Sequence, residues 1–72
     1  MSQISMAAAR VNANMTQEEM ANALKITRQT YAAYESGRSK VKAEHFLAFC
    51  KITGFSPNDI SLPEKSTLSK PE

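Results

Sequence analysis

Apolar positions recur along this chain at helical spacing, in four segments punctuated by caps and glycines. The first runs from about Ser5 to Ala13, with Met6, Ala9 and Ala13 on one side and Asn14 as a stop. The second opens at Thr16. Glu19, three residues on, completes a capping-box pattern that satisfies orphan N–H groups at a helix start. Met20, Ala21 and Leu24 then form its apolar stripe. The third opens at Thr27, a good cap, and runs to about Ser36 before Gly37. The fourth runs from about Ala43 to Thr53 and stops at Gly54, with Ala43, Phe46, Leu47, Phe49, Cys50 and Thr53 as its expected apolar side. Pro57 suits the first position of one more short turn, ending near Ile60. No stretch alternates long enough to suggest a strand. The expectation is an all-α domain of four to five short helices over residues 1–60, followed by a flexible polar tail over residues 61–72.

Composition narrows the class. The chain has 72 residues, room for one domain, and 42% of them are hydrophobic, which suits a small globular core. A single cysteine allows no intrachain disulfide. The opening MSQISMAAAR lacks a basic region before an apolar run, so it does not read as a signal peptide. No apolar run approaches the roughly 20 residues of a membrane span. A cytoplasmic protein without a membrane partner is expected. The net charge of +2 is less telling than its distribution. Lys25, Arg28, Arg38, Lys40 and Lys42 against Glu35 give residues 25–42 a net +4. A concentrated basic stretch suits a polyanion, although a solvated face that keeps the chain soluble would look the same.

The spacing of the second and third segments carries the functional reading. Only Lys25 and Ile26 separate the end of one from the cap of the next. Two short helices joined so tightly must turn sharply, as in a helix-turn-helix. Ala21 permits close approach, Leu24 and Ile26 fill the angle, and Tyr31 and Tyr34 would anchor the following helix. At 100° per residue, Thr30, Tyr31 and Tyr34 share one side of that helix, and Arg28, Gln29, Ala32, Ala33 and Ser36 the other. Arg pairs twice with guanine and Gln twice with adenine in the major groove. A recognition helix reads bases mainly with its N-terminal residues, here Thr27, Arg28 and Gln29.

With these residues in place, the stretch TQEEMANALKITRQTYAAYESGR resembles the helix-turn-helix of Cro/C1-type regulators, and the likeness extends over about residues 5–60. Its elements are Arg10, Thr16 to Glu19, Ala21, Leu24, Ile26-Thr27, Tyr34 to Arg38, and Gly54-Phe55. The resemblance implies a DNA-binding transcriptional regulator. It implies that Gln17 touches the phosphate backbone and braces the recognition helix, and that Thr27, Arg28 and Gln29 reach bases. It implies that Arg38 and Lys40 hold phosphates, and that Arg10 pairs with Glu35 to tie the first helix to the third.

The chain departs from the family pattern in two respects. Lys25 stands where glycine is usual, and a left-handed backbone there would cost a lysine about 1 kcal/mol. Ala32 and Ala33 replace polar or basic contact residues, leaving a sparse readout surface that would suit a protein partner. Two readings therefore stand. In one, the chain is a regulator in a phage-type genetic switch that reads double-stranded DNA. In the other, it is an antirepressor-type module that binds a repressor through the second and third helices. A repressor protein or a second copy of the chain is the expected protein partner.

An enzyme is not expected, because no acid-base pair, metal set or phosphate loop can be assembled. With one His and one Cys, no zinc set of the usual size exists, and no cofactor is expected. Cys50 reads as a small core hydrophobe, Met6, Met15 and Met20 as core fillers, and His45 as an exposed helix residue. Phe55, Ile60 and Leu62 would serve equally as a dimer surface or as a lid on the core.

Overall fold

The computed structural model describes residues 3–63. Four helices, α1 (Met6–Asn12), α2 (Gln17–Leu24), α3 (Arg28–Ser36) and α4 (Ala43–Thr53), account for most of them. A 3-10 turn follows at Pro57–Asp59. Two very short strands, β1 (Ile4–Ser5) and β2 (Ile60–Ser61), flank the helices and pair in parallel, Ile4 opposite Ile60. The architecture is the expected all-α one, to which this small strand pair is an addition that the hydrophobic pattern did not disclose.

Local chemistry explains the helix boundaries. The Ser5 side chain accepts from the Ala8 N–H at 3.0 Å and caps α1. Thr16 Oγ1 accepts from the Glu19 N–H at 3.0 Å, and Glu19 Oε1 accepts from the Thr16 N–H at 2.9 Å, so both halves of the capping box form. Thr27 Oγ1 caps α3 by accepting from the Thr30 N–H at 3.1 Å. At the other end, Gly37 takes the left-handed conformation, φ 86°, and is itself buried. Lys25 ends α2 at φ 63°, the strained conformation expected of it. Its return bonds, Lys25 N–H to Asn22 O and Ile26 N–H to Ala21 O, produce the tight turn into α3.

The core is Met6, Ala9, Met20, Ala21, Leu24, Tyr31, Tyr34, Phe49, Cys50 and Ile60. Tyr31 and Phe49 are fully buried, with ring centroids 6.4 Å apart. Ala21 leaves room where α2 meets α3, and α4 closes the other side against α1 and α2. Ile60 is 3% exposed, and Phe55 and Leu62 pack against the core, so these three residues cap the domain interior. The boundary expected after residue 60 falls between the two residues of β2. Residues 64–72, most of the expected tail, lie outside the described residues.

Two expectations about α4 need correction. Leu47 is 57% exposed and Ala43 is also exposed, so neither belongs to the buried side. Every residue from Phe46 to Cys50 is apolar, so periodicity alone could not select the inward stripe. His45 is not an exposed helix residue. Its side chain is only 17% exposed, and its Nδ1 lies 2.7 Å from the Tyr34 hydroxyl.

Candidate nucleic-acid interface

The site is built on α3, whose two faces have opposite environments. Tyr31 and Tyr34 point inward, and Glu35 sits at the edge between α3, α1 and α2. Thr27, Arg28, Gln29 and Ser36 are exposed, and Ala32 and Ala33 are half-buried. The alanines thus lie in the floor of the outward face and do not project from it.

A compact hydrogen-bond network fixes α3 from behind. Arg10 Nε donates to Glu35 Oε2 at 2.7 Å, and Nη2 donates more loosely to Oε1 at 3.4 Å. The same guanidinium donates from Nη1 to the Met15 carbonyl at 2.9 Å, holding the loop between α1 and α2. Tyr31 Oη donates to Glu35 Oε2 at 2.5 Å, and Gln17 Nε2 donates to Oε1 at 2.9 Å. One carboxylate therefore collects donors from α1, α2 and α3. Burial alone would push the Glu35 carboxyl up. The hydrogen bonds from Arg10, Tyr31 and Gln17 outweigh it and hold the group below its ordinary value. The hydrogen bond to Glu35 raises Arg10, against the opposing effect of burial. Burial and then the Glu35 hydrogen bond push the Tyr31 phenol far above its usual range.

The network constrains the residues named from sequence in different ways. Gln17, half-buried, spends one amide N–H on Glu35 and keeps one for an external acceptor. Thr27 Oγ1 caps the helix and donates to Thr30 Oγ1 at 2.9 Å, so its hydroxyl is already committed. Ser36 Oγ donates to the Ala33 carbonyl at 3.2 Å and finishes the helix end. The Arg28 and Gln29 side chains, by contrast, make no hydrogen bond or ion pair among the described residues. Nor do those of Arg38 and Lys40, which stand on the exposed loop after Gly37. Four polar side chains at the start of α3 and in the loop after it, three of them cationic, are thus exposed and unengaged among the described residues.

Sequence reasoning missed three contributors. The Tyr31 hydroxyl joins the Glu35 network, the Met15 carbonyl anchors Arg10, and Tyr34 meets His45 across the loop. The four-residue spacing of Tyr31 and Glu35 on one helix was the available signal for the first. The other two depend on loop geometry. Burial raises the Cys50 thiol above its usual value, consistent with a core role. Among the described residues no group of three or more His, Cys, Asp or Glu side chains is placed to hold a metal ion. Among them, no helix is long and apolar enough to cross a membrane.

A helix-turn-helix family model matches residues 6–60, most of the chain and the whole of the helical unit. The chain belongs to this helix-turn-helix family, of the Cro/C1 type, whose members are DNA-binding regulators. Neither a curated protein nor a solved structure matches it.

Proposed function

We propose that the protein is a transcriptional regulator in a phage-type genetic switch, acting in the host cytoplasm and without enzymatic activity. In this reading α3 enters the major groove. Arg28 and Gln29 contact base edges, with Thr27 beside them at the helix cap. Ala32, Ala33 and Ser36 lie against the groove, and Gln17, Arg38 and Lys40 contact phosphates. The observation that carries it is the pairing of free, exposed Arg28 and Gln29 at the start of α3 with the firm anchoring of that helix by Tyr31, Tyr34 and Glu35. Side chains placed for base readout need such a backing, because bidentate contacts tolerate little displacement.

A second reading is favoured by the small, half-buried Ala32 and Ala33. They open a shallow floor between Gln29 and Ser36 on which a helix of a repressor protein would pack closely. The chain would then act as an antirepressor, or together with the repressor at its operator. A salt-dependent titration of duplex DNA with the chain alone, repeated with a candidate repressor, separates the two. Steep salt dependence by the chain alone supports direct DNA binding. Weak binding alone, with Ala33→Glu abolishing association with the repressor, supports the protein-directed role. The DNA reading fails if binding to duplex is absent at low salt.

A further inference from the structure

We propose that Tyr34 and His45 form a cross-tie that positions the basic loop, residues 38–42, for contact with phosphates. The proposal rests on the DNA-binding reading and adds positioning residues that no base or phosphate needs to touch.

The loop joins α3 to α4 and carries Arg38, Lys40 and Lys42. Its two ends are held very differently. At the entrance, the Arg38 and Ser39 N–H groups both donate to the Ala33 carbonyl, at 3.0 and 3.3 Å, beyond the left-handed Gly37. At the exit, Lys42 is the cap residue of α4 and supplies no side-chain cap. Half-buried Val41, packed against the core, and the first turn of α4, with Phe46 N–H donating to Lys42 O at 2.9 Å, restrain the chain there. A second restraint acts one turn further in. Tyr34, on the last turn of α3, and His45, on the first turn of α4, bring Oη and Nδ1 to 2.7 Å with ring centroids 5.8 Å apart. Tyr34 is 3% exposed, so water competes poorly for this bond. His45 Nε2 also lies 3.7 Å from the Glu44 carboxylate, which is exposed.

The consequence is geometric. The separation of the two helix ends sets the arc that the six residues between them, 37–42, can follow. A single polar bond across the mouth fixes that separation more narrowly than apolar contact alone, because it has a preferred distance and direction. Phosphate contacts set the register of a protein on the duplex, so three cations on a wandering loop would register poorly. The cross-tie thus acts through Arg38 and Lys40, while the Glu35 network braces the backbone of α3, which carries Arg28 and Gln29.

The test uses the full chain with Tyr34→Phe, His45→Phe and His45→Asn. Asparagine places an amide group where Nδ1 stood and serves as the conservative rescue. Backbone ¹⁵N relaxation of residues 38–42 is measured for each variant. Each is also titrated into a mixed-sequence duplex over a range of salt. Tyr34→Phe and His45→Phe should loosen the loop amides relative to α1–α3 and weaken duplex binding roughly 3–10-fold. The slope of log K against log salt should flatten by about 0.9, the equivalent of one lost phosphate contact. His45→Asn should restore both readouts toward the parent. Loop amides as rigid as the parent's in both phenylalanine variants would overturn the proposal, as would a loosened loop with an unchanged salt slope. If the parent itself fails to bind duplex, the DNA-binding reading falls and the phosphate-positioning role with it. The relaxation data still decide, separately, whether the cross-tie orders the loop.

Discussion

The two faces of α3 differ in how completely their polar groups are spoken for. Behind the helix, Glu35 accepts from Arg10, Tyr31 and Gln17, and the Tyr34 hydroxyl meets His45. In front, Arg28 and Gln29 reach into solvent without a partner among the described residues. A satisfied polar cluster rigidifies what it touches, whereas an unsatisfied exposed one is available to a ligand. The difference teaches that fold and recognition are divided across 9 residues of one helix. Changes in the Glu35 network behind it should register as stability, and changes in front of it as binding.

The strongest challenge to that division is Glu35→Ala. It leaves the Arg10 guanidinium, 14% exposed, and the Tyr31 hydroxyl without their shared acceptor. Chemical denaturation should show a loss of about 3 kcal/mol, the lower end for a broken buried pair because both side chains keep some solvent contact. Acid should reproduce part of this loss. The folded-state pKa of Glu35 lies below its unfolded value, so its stabilisation is complete above the ordinary carboxylate range, near about 4.3. It declines as pH falls through the lower folded-state value. Thermal melts from pH 7 to about pH 3 should show a shallower acid decline for Glu35→Gln than for the parent. Identical acid limbs would remove Glu35 from the account.

The complementary change lies in front. Arg28→Ala and Gln29→Ala should leave stability within about 0.5 kcal/mol of the parent. They should cost about 1–3 kcal/mol on a preferred DNA site and relax discrimination at one position each. A fall in melting temperature comparable to that of Glu35→Ala would show that the faces are not separate. Smaller again is Lys25→Gly at the join of α2 and α3. Relief of the left-handed strain should raise stability by about 1 kcal/mol without altering duplex affinity. The slightest effect belongs to Lys40→Ala, which should weaken all duplex sequences alike and lower the salt slope by about 0.9.

What was legible in the sequence follows from the range of the interactions. Helix boundaries depend on partners three or four residues away, and Thr16 with Glu19, the cap at Thr27 and the stop at Gly37 were readable as they stand. The inward direction of Tyr31 and Tyr34 followed from the wheel, since α3 has a clear apolar stripe. Leu47 was misplaced because α4 is apolar around most of its circumference, and only packing against α1 and α2 selects Phe49 and Cys50. The strand pair joins residues 56 positions apart through two residues on each side, too short for any alternation to show. The pairing of Tyr34 with His45 depends on how the loop folds back, which no local spacing encodes.

The central claim is that the outward side of α3 and the loop after it form the surface that meets DNA. Amide and side-chain chemical-shift mapping of the full chain against a mixed-sequence duplex at low salt tests it most directly. The account predicts perturbations confined to Gln17, Thr27 to Ala33 and Ser36 to Lys40, including the Gln17 and Gln29 side-chain amides, with the opposite end of α4 silent. Perturbations centred on Leu47, Lys51 and Phe55, with Arg28 and Gln29 unmoved, would contradict it.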